Sequence, residues 1–196
     1  MLKTELNYIV SGLERSGTSL MMQMLHAGGI PVAFDHSRPP DEHNPRGYYE
    51  LNGGKIINRL IDGTFDQSCY QGQVVKITSY GLKFLPEGKY QILYMIRNID
   101  EVLASMQKMG ADIDKVRDRR LLGKLNRISL DWMRNRSDMN YLTIRYPDLI
   151  ENPQKEMERI SDFWGTRFDI QRAIKAVDSN LYRNRIPPGS HQKTKR

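Results

Sequence analysis

The chain has 196 residues, 30 Lys and Arg against 23 Asp and Glu, a formal charge of +7 and one cysteine. That length suits one domain, 1–196, with one sizeable core, and Cys69 alone excludes an internal disulfide framework or a cysteine-rich zinc site. No apolar run reaches the roughly 18 residues that cross a bilayer, and the N-terminal Met1–Glu5 carries no long hydrophobic signal core, so the expectation is a soluble cytoplasmic protein without a transmembrane segment.

In chain order, Asn7–Gly12 is a short β-prone run. After a polar turn, Thr18–His26 has strong helix formers with Leu and Met at helical spacing, stopped by Gly28 and Gly29. A brief apolar run at 31–34 leads into a loop rich in Pro, Asp, His and Asn that ends in Gly47, Tyr48, Tyr49 and Glu50. Residues 51–61 suit a helix, 74–77 a short strand, and Tyr90–Ile96 a strand apolar on both faces, as in a buried parallel sheet. Helices follow over 99–109 and 115–136, the second with an apolar stripe of Leu121, Leu122, Leu125, Ile128 and Trp132. Tyr141–Tyr146 reads as a further strand, and 153–164 as a helix with Pro153 at its first position. The alternation makes the chain α/β with a mainly parallel sheet.

The charge is unevenly placed. Residues 115–136 carry eight bases and two acids, and residues 183–196 five bases and no acid, so the rest of the chain sums to −4. The basic helix lacks the aromatic interleaving of a single-strand binding platform, and no nucleic-acid partner is expected.

The most informative stretch is Ser11–Ser19, between the first strand and first helix. Gly12 and Gly17 free the backbone, Ser16, Gly17, Thr18 and Ser19 can turn consecutive amides inward, and the helix dipole adds positive potential. A phosphate or sulfate group suits such a loop. The nucleoside-triphosphatase loop has the same glycine spacing but needs Lys where Thr18 stands, and here the cation is Arg15. A P-loop kinase or nucleotidase is therefore a weaker alternative, as is a non-catalytic nucleotide or nucleic-acid binding module.

Arg15, Ser16, Gly17, Thr18 and Ser19 after a strand resemble the 5′-phosphosulfate loop of sulfotransferases that use 3′-phosphoadenosine 5′-phosphosulfate (PAPS). Tyr94–Ser105, a strand ending in Arg97 and Asn98 before a helix with Ser105, is similar to that family's 3′-phosphate motif. Arg97 offers a fork of donors at a strand's carboxyl end, the competing reading being an ion pair with Asp100. Ile144–Gly165 is similar to the family's strand-tyrosine, acidic turn and helix, which makes Tyr146 a nucleotide contact; Pro147 departs from the acidic residue often found there. Arg183 and Arg185 match a late basic segment that reaches the nucleotide phosphates in relatives.

The resemblance implies a three-layer P-loop-type fold with helices on both sides of the sheet. PAPS is the implied donor co-substrate, no metal is required, and the reaction is sulfuryl transfer to a hydroxyl or amine. Arg15 and Lys76 are the candidates for charge stabilisation. The histidine that one branch places two residues beyond that Lys is Thr78 here, so the base is sought in His36, which titrates near neutral pH, in Asp35, or in Glu50. Glu42 and His43 fall in the same loop, which is expected to shape the acceptor pocket. The acceptor stays open among carbohydrate, lipid-linked, peptide and small-molecule hydroxyls and amines.

Overall fold

A computed structural model describes residues 1–42 and 44–178. Five parallel strands, β1 (Asn7–Gly12), β2 (Val32–Ala33), β3 (Val74–Lys76), β4 (Tyr90–Ile96) and β5 (Met139–Arg145), form one sheet in the order β2-β3-β1-β4-β5. Seven α-helices among the described residues accompany them: α1 (Thr18–Ala27), α2 (Ile56–Ile61), α3 (Ile99–Lys108), α4 (Lys115–Asn135), α5 (Tyr146–Glu151), α6 (Pro153–Trp164) and α7 (Ile170–Lys175).

The three central strands, β3, β1 and β4, are buried on both faces, and the two-residue period sorts the side chains. Tyr8, Val10, Val74, Leu93, Met95 and Ile144 face a core completed by Met21, Met22, Met24 and Leu25 of α1 and by Met157, Ile160 and Trp164 of α6. Ile9, Val75, Ile92, Tyr94 and Met139 face a second core with Ile56 and Leu60 of α2, Met133 of α4, and Leu82 of the 3-10 turn Ser79–Phe84. Each fully buried aliphatic side chain contributes on the order of 1.5–3 kcal/mol. The parallel α/β sheet is the one expected from the alternation, and the helix layers on both of its faces give the three-layer architecture that the resemblance implies.

Several local expectations are corrected. Tyr146 opens α5 instead of ending the strand: Arg145 is still extended, while Pro147 in the first turn and the acid Asp148 both favour a helix start there. The helix expected over 51–61 is split into a 3-10 turn, Asn52–Gly54, and α2, because Asn52, Gly53 and Gly54 all have positive φ. Helix α7 and the 3-10 turns Gln67–Tyr70 and Ser79–Phe84 carried no clear sequence signal. In α4 the apolar stripe is not the buried side. Ser129 and Met133 are buried while Leu121, Ile128 and Trp132 are exposed, because Asn126 and Ser129 hold the helix to Tyr94 Oη at 2.8 Å and the Ser79 carbonyl at 3.3 Å.

The topology also locates a site. From β1 the chain goes to β2 and β3 on one side and then to β4 on the other, so a crevice opens over the carboxyl ends of β1 and β4.

Candidate active site

The loop leaving β1 is shaped by backbone that only certain residues tolerate. Gly12 has φ +145°, and a Cβ there would stand 2.6 Å from the Met95 carbonyl oxygen of β4. Gly17, at φ +104°, is the N-cap of α1; a Cβ on it would meet Tyr146 Cδ2 at 2.3 Å. Arg15 itself has φ +65°. No side chain caps α1 and no acid stands in its first turn, so the positive end of the helix faces the loop. Thr18 and Ser19 are the first helical residues rather than caps. The Ser16 hydroxyl is buried with no hydrogen-bond partner among the described residues, an unsatisfied donor beside those amides.

Three segments far apart in sequence meet here. Arg15 Nε donates to Ser105 Oγ of α3 at 3.0 Å. Arg97, at the end of β4, donates from Nη1 to the Arg15 carbonyl at 3.1 Å and lies with its guanidinium 4.3 Å from the centre of the Tyr146 ring. Its Nε is held by Glu101 Oε2 at 2.9 Å, the two side chains being 7% and 3% exposed. The alternative pairing of Arg97 with Asp100 is therefore excluded; Asp100 pairs with Arg119 of α4 at 3.0 Å. Glu101 was missed in the sequence, though four residues after Arg97 on a helix is a pairing distance.

Lys76 comes from the neighbouring strand. Parallel pairing sets it beside Val10, near the start of the loop. Its side chain is 4% exposed, which rules out an ordinary surface lysine, and Nζ lies 2.8 Å from Glu50 Oε1 and 3.2 Å from Ser19 Oγ, with the Tyr48 carbonyl as a third partner. Burial pushes the Lys76 ammonium below its ordinary value, against the opposing pull of Glu50. Burial works against the charge on Glu50, but Lys76 and Arg38 outweigh it and hold the carboxyl below the usual glutamate value.

Arg38 and Tyr48 complete this wall without any forewarning in the sequence. Arg38 Nη1 donates to Glu50 Oε2 at 2.9 Å, and its guanidinium sits 3.5 Å from the Tyr48 ring centre. Tyr48 Oη donates to the Asp41 carboxylate at 2.7 and 2.9 Å. Gln23 of α1 anchors the same loop through Asn44 Oδ1 at 3.2 Å and the Gly47 carbonyl at 3.1 Å. A charged residue inside an irregular loop carries no period, which is why its partner could not be read.

These groups border an open cleft of about 310 Å³. Arg15, Thr18 and Ser19 line its loop side, Arg38, Glu50 and Lys76 its polar wall, and Ile57, Met106 and Met109 an apolar wall; Thr78 also borders it. His36 does not reach it: the ring is exposed and packs edge-on against Phe34 at 5.4 Å. Asp35 accepts from the amides of Ser37 at 3.0 Å and Asn52 at 2.7 Å and from the Ser37 hydroxyl. Desolvation opposes its charge, but these bonds hold its carboxyl below the ordinary value, so it ties down a turn. Arg183, Arg185 and His43 lie outside the described residues. No group of three or more potential metal ligands occurs among the described residues, and none of their helices is long and apolar enough to cross a membrane.

A glycine-shaped loop leading from a strand into a helix N-terminus, at the switch point of a three-layer α/β sheet, is an arrangement suited to a phosphate or sulfate group. The particular family follows from the sequence match: the chain belongs to the sulfotransferase domain family, whose model matches residues 74–185. That span includes Lys76, Arg97, Ser105 and Tyr146 and begins after the loop of Arg15. Among solved structures, the sulfotransferase domain of the olefin synthase of Synechococcus PCC 7002 is 18% identical, with a TM-score of 0.55 over 96% of this chain and 82% of that one. A sulfotransferase of Mycobacterium tuberculosis H37Rv is 14% identical, with a TM-score of 0.54 over 89% and 71%. At such identities these likenesses establish the fold. No curated protein matched the chain.

Proposed function

We propose that the protein transfers a sulfuryl group from PAPS to a hydroxyl or amine acceptor. The observation that carries this reading is the meeting of Arg15, Ser105, Arg97 and Tyr146 around one loop, since four residues from three segments have no common structural need for cations and hydroxyls at that place. Family membership supports the reaction class.

In this reading the α1 amides and the hydroxyls of Ser16, Thr18 and Ser19 hold the 5′-phosphate end of the donor. Arg97 and Ser105 take the 3′-phosphate, and Tyr146 borders the nucleotide base; Arg183 and Arg185 are further candidates for the phosphates. The acceptor atom attacks sulfur in line, and the bond between sulfur and the phosphate oxygen breaks with its electron pair staying on that oxygen. Arg15 and Lys76 neutralise the charge growing there. Glu50 receives the acceptor's proton. In the present arrangement Lys76 neutralises Glu50; a Lys76 drawn to the anionic donor leaves the carboxylate with less compensation and a greater proton affinity, which suits a base. His36 lies outside the cleft and takes no proton from an acceptor held there.

The test is formation of 3′-phosphoadenosine 5′-phosphate from PAPS over a panel of hydroxyl and amine acceptors, with folding checked by thermal melting. Glu50→Gln is expected to cut turnover by roughly 10²–10⁴, the span typical of general-base loss, while His36→Ala stays near wild type. The reverse pattern would reject Glu50 as the base, and no turnover of PAPS with any acceptor would reject the donor.

A further inference from the structure

We propose that the outer face of α4 seats the protein on an anionic lipid surface. At 100° per residue, Leu121, Leu125, Ile128 and Trp132 fall within about 60° of one another and form a ridge about 16 Å long. Leu121 is 55% exposed, Ile128 47% and Trp132 41%, with Leu125 half-buried between them, although a helix normally turns such a stripe inward. The inward side is taken by Asn126, Ser129 and Met133, so the ridge is turned outward by bonds to Tyr94 of β4 and to the Ser79 carbonyl of the neighbouring 3-10 turn. Alongside the ridge run Arg120, Lys124 and Arg127, all exposed and without an ion-pair partner among the described residues.

Charge selects the occupant. Residues 115–136 carry +6, so a second copy of this face would oppose its own charge. A nucleic acid would meet the bases but leave the apolar ridge in water. An anionic bilayer satisfies both: Leu, Ile and Trp enter the headgroup boundary while the arginines and lysine stay at the phosphates. A convex ridge also offers no groove for a peptide's anchoring side chains, whereas a lipid surface requires none. The Arg119–Asp100 pair ties α4 to α3, whose Met106 lines the cleft, so the seat has a fixed relation to the candidate site. The inference depends on neither the donor nor the acceptor.

The experiment is co-sedimentation with phosphatidylcholine vesicles, alone and with about 30% phosphatidylglycerol, together with tryptophan emission. The chain has two tryptophans, and Trp164 is 3% exposed, so a change on binding reports Trp132. Binding to the anionic vesicles only, with a blue shift that disappears in Trp132→Phe, is expected. Reversal of Arg120, Lys124 and Arg127 to Glu is expected to weaken binding by a factor on the order of 100, and Leu121→Ser with Ile128→Ser to weaken it while PAPS turnover and thermal melting stay unchanged. Absence of binding, equal binding by the charge-reversed protein, or binding without a Trp132 shift would overturn the proposal. So would a dimer by light scattering that Leu121→Ser dissociates, or preferential binding to duplex DNA.

Discussion

Arg97 shows how much one side chain carries. It braces the loop through the Arg15 carbonyl, covers the Tyr146 ring and is itself fixed by Glu101, so its guanidinium is oriented before any ligand arrives. Charge-assisted hydrogen bonds contribute about 1.5–3 kcal/mol. Arg97→Ala is therefore expected to weaken adenosine 3′,5′-bisphosphate by roughly 10- to 100-fold and adenosine 5′-phosphate much less, measured by calorimetry; equal losses would remove Arg97 from the 3′-phosphate site. Glu50 has a separate signature in stability. Burial opposes its charge, but Lys76 and Arg38 hold its carboxyl below the ordinary 4.5, so its contribution is complete above that value and is lost as pH falls through the depressed one. Glu50→Gln leaves Lys76 buried without a counter-charge, which is expected to cost about 2–4 kcal/mol at neutral pH and to flatten the acid limb of denaturant stability plotted against pH. An unchanged limb would show that the pair contributes nothing. Both residues were legible as candidates, but their partners were not. Glu101 and Arg38 are ordinary charges in the sequence, and only the folded chain shows which carboxylate each arginine meets.

At the scale of elements, the loop before α1 was the most readable part because glycine positions report backbone conformation directly. Gly17 both adopts φ +104° and admits the Tyr146 ring to within 2.3 Å of where a Cβ would stand. Gly17→Ala is expected to destabilise the fold by about 1–3 kcal/mol and to abolish nucleotide binding, as read by urea denaturation and calorimetry; wild-type values for both would contradict the close approach. Strand β4 was equally clear, since a run apolar on both faces has few alternatives to a central parallel strand. The stripe of α4 misled in the opposite sense. Periodicity marks an apolar face but not which surface covers it, and two hydrogen bonds plus Met133 turn a different side of that helix to the sheet. The break after Leu51 was similarly hidden, because Asn52 at φ +52° adds to two glycines what they alone need not impose.

Over the whole molecule, the alternation of strands and helices specified a parallel α/β sheet, while the order β2-β3-β1-β4-β5 came from edge pairings that the sequence does not encode locally. That order brings β1 and β4 together and so joins the loop of Arg15 to Arg97. The net charge of +7 proved a poor guide to the site. Arg15, Arg38 and Lys76, which line the cleft, and Arg97, which braces its loop, all belong to the part of the chain that sums to −4, so the candidate site depends on individually placed cations. The central claim is a site for a 3′-phosphorylated adenine nucleotide without magnesium. Its most direct test is calorimetry on one sample with 3′-phosphoadenosine 5′-phosphate and with ATP–Mg²⁺. Saturable binding of the first, much tighter than the second and unaffected by a chelator, is expected; no binding of the first, or tighter binding of ATP–Mg²⁺, would contradict it.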